Sequence, residues 1–200
     1  MISAIVLAAG LSTRMKEPKQ LLPYREHTVV EQVVSVLLAS RIDEVLVVTG
    51  HERDAVEGVL AKWPVKLVFN PDYAEGEMLS SVQVGLRAAS AASQAALLAV
   101  GDMPAIEEEV VTRLIQAYYA AGDDRVYIPS FQMRAGHPVL VPRSYWGAIL
   151  SLPRGDNLRS VLRAETTRVE WVLVDTPSVL QDLDTPDDYR RAVGSRQEDG

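Results

Sequence analysis

The chain of 200 residues contains no cysteine. That absence excludes disulfides, thiolate zinc sites and iron–sulfur clusters together. Long apolar runs are also missing, since no stretch reaches the roughly 20 residues that a membrane helix requires. The amino terminus lacks a basic segment followed by a long apolar stretch and a cleavage site. A secretory signal is therefore not expected, and the cytoplasm is the expected compartment. Positive charge is in deficit: Lys and Arg number 20 against 27 Asp and Glu, a formal net charge of −7. Such a balance argues against a broad nucleic-acid surface. It still allows a small anionic substrate, whose charge a metal ion and a few local cations can offset. Two nucleotide motifs are absent as well. Gly10 is not followed at the required spacing by Gly-Lys-Ser/Thr, and the first loop is not Gly-x-Gly-x-x-Gly.

What remains has the composition of an ordinary globular chain, 48% hydrophobic and 24% charged, large enough to bury a core. Residues 1–193 read as one domain, with a polar, frayed tail at 194–200. No internal repeat is visible, and the one biased stretch is the Ala/Ser-rich segment 88–96. Short β-branched runs at 4–7, 45–48, 65–69, 96–100, 126–128, 139–141 and 169–174 predict strands. Helical spacing of apolar residues covers 29–39, 55–62, 81–89, 110–120, 145–150 and 158–164. Alternation of the two predicts an α/β fold, a mostly parallel sheet covered on both faces. Ligands of such sheets bind beyond the carboxyl ends of the strands.

The unusual residues fall at those ends. The first strand runs into Ala8-Ala9-Gly10-Leu11-Ser12-Thr13-Arg14-Met15, with Lys16 and Lys19 close behind. Small residues let a backbone approach a ligand closely, and three cations, Arg14, Lys16 and Lys19, suit a polyphosphate. Backbone N–H groups there can cradle phosphate, with Arg14 bidentate and Lys19 as a point charge. The alternative is a solvated basic turn. Asp102, in Gly101-Asp102-Met103-Pro104, stands one glycine beyond a strand. It can hold magnesium, which takes one or two carboxylates plus substrate phosphates. Alternatively it caps the helix after Pro104. Asp182 and Asp184 precede Thr185-Pro186-Asp187-Asp188-Tyr189, where Thr185 is a suitable N-cap and Pro186 a suitable first helical residue. Asp187 and Asp188 then serve the helix end, which leaves Asp184 available to a metal.

His137, in Gly136-His137-Pro138, reads as a fixed, exposed residue able to touch phosphate, metal or substrate, or as incidental. Ser80 and Ser81 read as a cap for the helix that follows, or as donors to a substrate. Met78, Trp63 and Trp171 read most simply as packing residues, with Met78 in a loop near the pocket.

Taken together, these segments resemble the MobA-like nucleotidyltransferases, and within them the molybdenum cofactor cytidylyltransferases. The resemblance rests on residues 7–15 with Lys19 and Leu21-Leu22-Pro23, and on Asn70-Pro71-Asp72-Tyr73-Ala74-Glu75-Gly76. It continues through Gly101-Asp102-Met103-Pro104, Gly136-His137-Pro138-Val139-Leu140-Val141 and Asp184-Thr185-Pro186-Asp187-Asp188-Tyr189. These blocks keep the family's order over nearly the whole chain. The resemblance implies a Rossmann-like three-layer fold and magnesium-dependent transfer of a nucleoside monophosphate. It implies triphosphate binding by Gly10, Arg14 and Lys19, within a nucleotide-binding set of Leu7, Ala8, Ala9, Gly10, Ser12, Arg14 and Lys19. Asp102 and Asp184 are the implied metal residues, and Arg14, Lys19 and Asp102 the implied catalytic ones. Gly76, Ser80, Ser81 and His137 are the expected acceptor contacts. Two departures stand out: Lys16 replaces a glycine that usually follows Arg-Met, and segment 76–82, with Glu77 and Met78, is longer than usual. Ala8-Ala9-Gly10 looks like the cytidylyl branch.

The expected reaction is transfer of CMP from CTP to molybdopterin with release of pyrophosphate, with a target molybdoenzyme as a possible partner. Neither nucleic acid nor membrane is an expected partner. The alternatives are guanylyl transfer from GTP to the same cofactor, transfer to a sugar or another small phosphate, and a non-catalytic assembly role for a molybdoenzyme.

Overall fold

A computed structural model describes the chain except for residues 16, 76, 123, 163, 165–167 and 195–200 and the side chains of Glu77 and Leu162. In chain order the elements are β1 (Ile2–Ala8), β2 (Pro23–Tyr24), β3 (His27–Thr28), α1 (Val29–Ala39), β4 (Glu44–Thr49) and α2 (Arg53–Leu60). There follow β5 (Lys66–Phe69), α3 (Glu77–Ala88), β6 (Ala95–Val100), α4 (Glu108–Ala121), β7 (Val126–Phe131) and β8 (Arg134–Ala135). The chain continues through β9 (Val139–Pro142), α5 (Trp146–Leu150), α6 (Leu158–Leu162), β10 (Val169–Leu173) and α7 (Pro186–Gly194).

The main sheet has eight strands in the order β10-β7-β9-β6-β1-β4-β5, with β8 hydrogen-bonded to β7. Pairing is parallel from β6 through β1 and β4 to β5, and again between β10 and β7. Strand β9 runs antiparallel to β6 and β7. The sheet is thus mixed and mostly parallel, as the alternating pattern predicts.

The period-two alternation of β1 splits the core into two layers. Ile2, Ala4, Val6 and Ala8 face one side, against Val30, Val33, Val34 and Leu37 of α1 and Val110, Leu114 and Tyr118 of α4. Ile5 faces the other, against Leu79, Val82 and Leu86 of α3 and Trp146 and Ile149 of α5. Those helical positions recur at the spacing of one face. Helix α1 starts where it does because Thr28 and Glu31 form a capping box. Register does the rest: Leu7 pairs with Val100 and Ala8 with Thr49. The loops leaving β1, β4 and β6 therefore open at one edge.

Several expectations shift. The helix expected at 81–89 occupies Glu77–Ala88, so Ser80 and Ser81 lie inside it and do not cap it. The β2–β3 hairpin and β8 were not anticipated; each strand is two residues long, too short to display alternation. Trp171 is half-exposed on an edge strand rather than packed. Among the described residues no helix is long and apolar enough to cross a membrane.

Candidate active site

The loop after β1 is folded around Ser12. Its backbone is left-handed at φ 51°, and its hydroxyl accepts from the N–H of Lys19 at 3.2 Å while donating to Gln20 Oε1 at 3.2 Å. Gln20 and Met15 are buried and anchor the turn. The backbone N–H groups of residues 10–14 find no acceptor among the described residues. Unsatisfied donors at a strand end form an anion-binding concavity.

Beside this loop, Gly101 donates its N–H to the Leu7 carbonyl at 2.9 Å. A Cβ added at Gly101 would lie 3.0 Å from that oxygen and 3.2 Å from the Ala8 Cβ. Glycine thus allows the close approach that brings Asp102 against β1. The segment carrying Asp184 is tied to the same point, because Leu183 donates its N–H to the Asp102 carbonyl at 3.0 Å. Thr185 caps α7, exchanging hydrogen bonds with Asp188, and Asp184 stands free of the cap. Helix α4 begins only at Glu108, with Glu107 at its N-cap, so Asp102 does not cap it.

The two far-apart acids meet at one ammonium group. Lys19 Nζ pairs with Asp102 and, at 3.0 Å, with Asp184. Arg14 reaches Asp184 at 2.7 Å from the solvent side. Lys19 has a side-chain exposure of only 11%. Burial opposes its charge, but the Asp102 and Asp184 carboxylates outweigh that and raise its pKa. Nearby Asp182 is lifted by burial and by the adjacent negative Asp184.

This cluster sits on the wall of a cavity of about 470 Å³, also lined by Leu7, Ala9, Gly10, Ser12 and Ser81. Among the described residues no group of three or more acidic or histidine side chains is assembled to hold a metal. Two hard carboxylates sharing one cation fit a divalent ion whose remaining ligands are phosphate oxygens and water.

Not all of the other expected residues reach this cavity. Ala8 is fully buried in the core below the loop. Asn70, itself buried, donates through Nδ2 to Ser80 at 2.8 Å and Ser81 at 3.0 Å. His137 is half-buried rather than exposed, with Nδ1 sealed from solvent and without a partner. It lines a second cavity, not the first. Lys16 and Gly76 lie outside the described residues. Tyr73, Thr13 and Met78 also line the first cavity. Met78, expected in a loop near the pocket, does line it, but from α3 rather than from a loop.

Comparison with known proteins bears on the family and the fold. The family model for the MobA-like NTP transferase domain matches residues 4–179. The molybdenum cofactor cytidylyltransferase of Escherichia coli K12 is 29% identical over 94% of this chain and 93% of its own. The nicotine blue oxidoreductase of Paenarthrobacter nicotinovorans is 30% identical over 96% of each chain. The crystal structure of Rv0371c of Mycobacterium tuberculosis H37Rv in complex with manganese superposes with a TM-score of 0.81. That alignment has 28% identity over 97% of this chain and 98% of the other. A divalent metal is therefore bound in a structure of a relative.

Proposed function

The chain belongs to the MobA-like NTP transferase family, and from that premise we propose that it transfers CMP from CTP to the phosphate of molybdopterin in the cytoplasm. The observation that carries this reading is the convergence of Asp102 and Asp184 on Lys19 at the mouth of the loop after β1. A cradle of N–H donors, two cations and two carboxylates is suited to a metal-bound triphosphate and has no evident structural need. The cytidylyl choice is supported by Ala8-Ala9-Gly10 and by the likeness to a cytidylyltransferase over most of both chains.

In the proposed step, an oxygen of the acceptor phosphate attacks the α-phosphorus of CTP in line. The bond from that phosphorus to the α,β-bridging oxygen breaks, and pyrophosphate departs with the electron pair. The attacking phosphate is already anionic near neutral pH, so the protein needs no strong base. Its task is positioning and charge neutralisation. The loop N–H groups and Gly10 hold the triphosphate. Arg14 and Lys19 neutralise charge developing on the leaving pyrophosphate. A magnesium ion held by Asp102 and Asp184 would supply Lewis-acid neutralisation of phosphate oxygens. Lys19, raised in pKa by its two acids, remains an ammonium throughout.

The test is magnesium-dependent pyrophosphate release across the four nucleoside triphosphates, with and without molybdopterin. The proposal requires release with CTP only when the pterin is present. A preference for GTP would reassign the base. The absence of acceptor-stimulated release with any nucleotide would overturn the transfer itself.

A further inference from the structure

The sheet ends in two unequal edges, because β5 and β10 each have a neighbour on one side only. At β5 the edge is guarded. Lys66 stands on the strand with its ammonium bonded to the Ala88 carbonyl at 2.6 Å, and the Arg53 guanidinium lies over Phe69. Charged side chains on an outer strand discourage pairing with another chain. Strand β10 has no such guard. Its sequence Val169-Glu170-Trp171-Val172-Leu173 contains no lysine, proline or glycine, and Trp171 and Leu173 are 52% and 72% exposed.

The backbone of β10 is only half used. Val126 donates its N–H to the Arg168 carbonyl at 2.8 Å, and Val174 donates to the Ser130 carbonyl at 3.1 Å. The even-numbered residues thus face β7, and the N–H and C=O groups of Val169, Trp171 and Leu173 point to the open edge. Among the described residues only Arg113 bonds there, donating to the Leu173 carbonyl at 3.3 Å. That oxygen keeps a second lone pair. The side chains of the same three residues share one face of the sheet, so an apolar stripe runs beside the free backbone groups. Charge of opposite sign brackets the strand. Arg168 precedes it and Asp175 lies just beyond it, both largely exposed. Glu170, between them, is paired with Arg125 at 3.0 Å.

We propose that β10 pairs with β10 of a second copy of this chain, antiparallel about a two-fold axis at Val172, and joins the two sheets into one. The hydrogen-bonding phase leaves odd-numbered residues to pair with odd-numbered ones. An axis at Val172 sets Trp171 of each copy opposite Leu173 of the other. The exposed apolar side chains of the strand then cover each other. The same register brings Asp175 of each copy opposite Val169, beside Arg168, so the strand ends meet with opposite charge twice over. It also keeps the two Glu170 carboxylates apart. An axis at Trp171 would set them on a diagonal, and one at Glu170 would set them face to face, which is unfavourable. Because β10 runs parallel to β7 and antiparallel to its copy, the two cavities at the loop after β1 open on opposite edges of the joined sheet. Neither cavity completes the other.

Sedimentation velocity of the full chain from about 1 µM to about 1 mM tests this. The wild type should pass from monomer to dimer with a Kd on the order of 10–100 µM, as suits so small a contact. Leu173→Lys changes an exposed side chain and should weaken the dimer at least about tenfold, with thermal unfolding of the dilute protein unchanged. Arg168→Asp and Asp175→Arg should each weaken it about fivefold, and the two together should restore it to within about twofold of the wild type. A wild type that stays monomeric throughout the range overturns the proposal and leaves the edge to a partner of another kind. A dimer equally strong in Leu173→Lys overturns it as well. So does a charge swap that fails to recover what either single change loses.

Discussion

Glu31 and the Asp102–Asp184 pair are acids held by nearby cations, and the fold supplies them in opposite ways. Glu31 is closed in. Its side chain is 7% exposed and accepts from the Thr28 N–H at 2.9 Å, the Thr28 hydroxyl at 2.8 Å and Trp63 Nε1 at 3.1 Å. Lys62 adds an ion pair at 3.1 Å. Burial works against the carboxylate, yet these donors, the Thr28 N–H foremost, lower its pKa to about 2. At the other site Asp102 and Asp184 share Lys19, Arg14 is the only further cation paired to them among the described residues, and Asp182 adds a third negative charge nearby. Negative charge is in excess there, and the cluster faces a cavity. An acid with more donors than it needs holds structure together. Acids with fewer cations than charges are prepared for an incoming one.

Substitutions at the open cluster should have the largest effect on chemistry. Asp102→Ala and Lys19→Ala should each reduce pyrophosphate release by about 100-fold or more, while the purified variants unfold as cooperatively as the wild type. Wild-type turnover in either would remove that residue from the mechanism. Glu31→Ala should do the reverse. It leaves the Trp63 and Thr28 donors without their acceptor, so denaturant unfolding should show a loss of about 2–3 kcal/mol with kcat nearly unchanged. If Glu31→Ala lost turnover as Asp102→Ala does, the contrast between the two sites would disappear.

Acid sharpens the same contrast. A carboxyl whose folded pKa is depressed contributes stability that is complete above its unfolded pKa and is lost as pH falls through the folded one. For Glu31 the window runs from its ordinary 4.5 down to about 2. The stability gap between wild type and Glu31→Gln, at most on the order of 3 kcal/mol, should therefore close across that window. A gap that stays constant from neutral pH to pH 2 would mean that the donors do not favour the ionised form. The smallest effect is expected at the cap beside Asp184. Thr185→Ala should cost about 1 kcal/mol in unfolding free energy and lower turnover only a few-fold, by loosening the acid next to it. No change in either quantity would leave Asp184 positioned by the Leu183–Asp102 hydrogen bond alone.

The parts of this fold written in local patterns were legible beforehand. The apolar spacing of 29–39 matches α1 end to end, because the capping pair Thr28 and Glu31 and the apolar stripe agree. Thr185-Pro186 likewise marks the start of α7. The loop after β1 and the residues Asp102 and Asp184 stood out because cations and acids at strand ends are poor core choices. That the two acids meet was not readable, since it depends on register: Leu7 opposite Val100, and Leu183 bonded to the Asp102 carbonyl. The burial of His137 was hidden for the same reason. Its N–H is taken by the Val179 carbonyl at 2.9 Å, a contact 42 residues away in the chain. Ser80 and Ser81 misled because a polar pair before an apolar run resembles a cap, whereas their hydroxyls meet Asn70 across the loop.

The most direct measurement is the anomalous scattering of manganese in crystals grown with a non-hydrolysable CTP analogue. The ion should contact the Asp102 carboxylate and an α-phosphate oxygen, with the β- and γ-phosphates lying along residues 10–14. An ordered triphosphate whose metal lies away from both Asp102 and Asp184 would contradict the account.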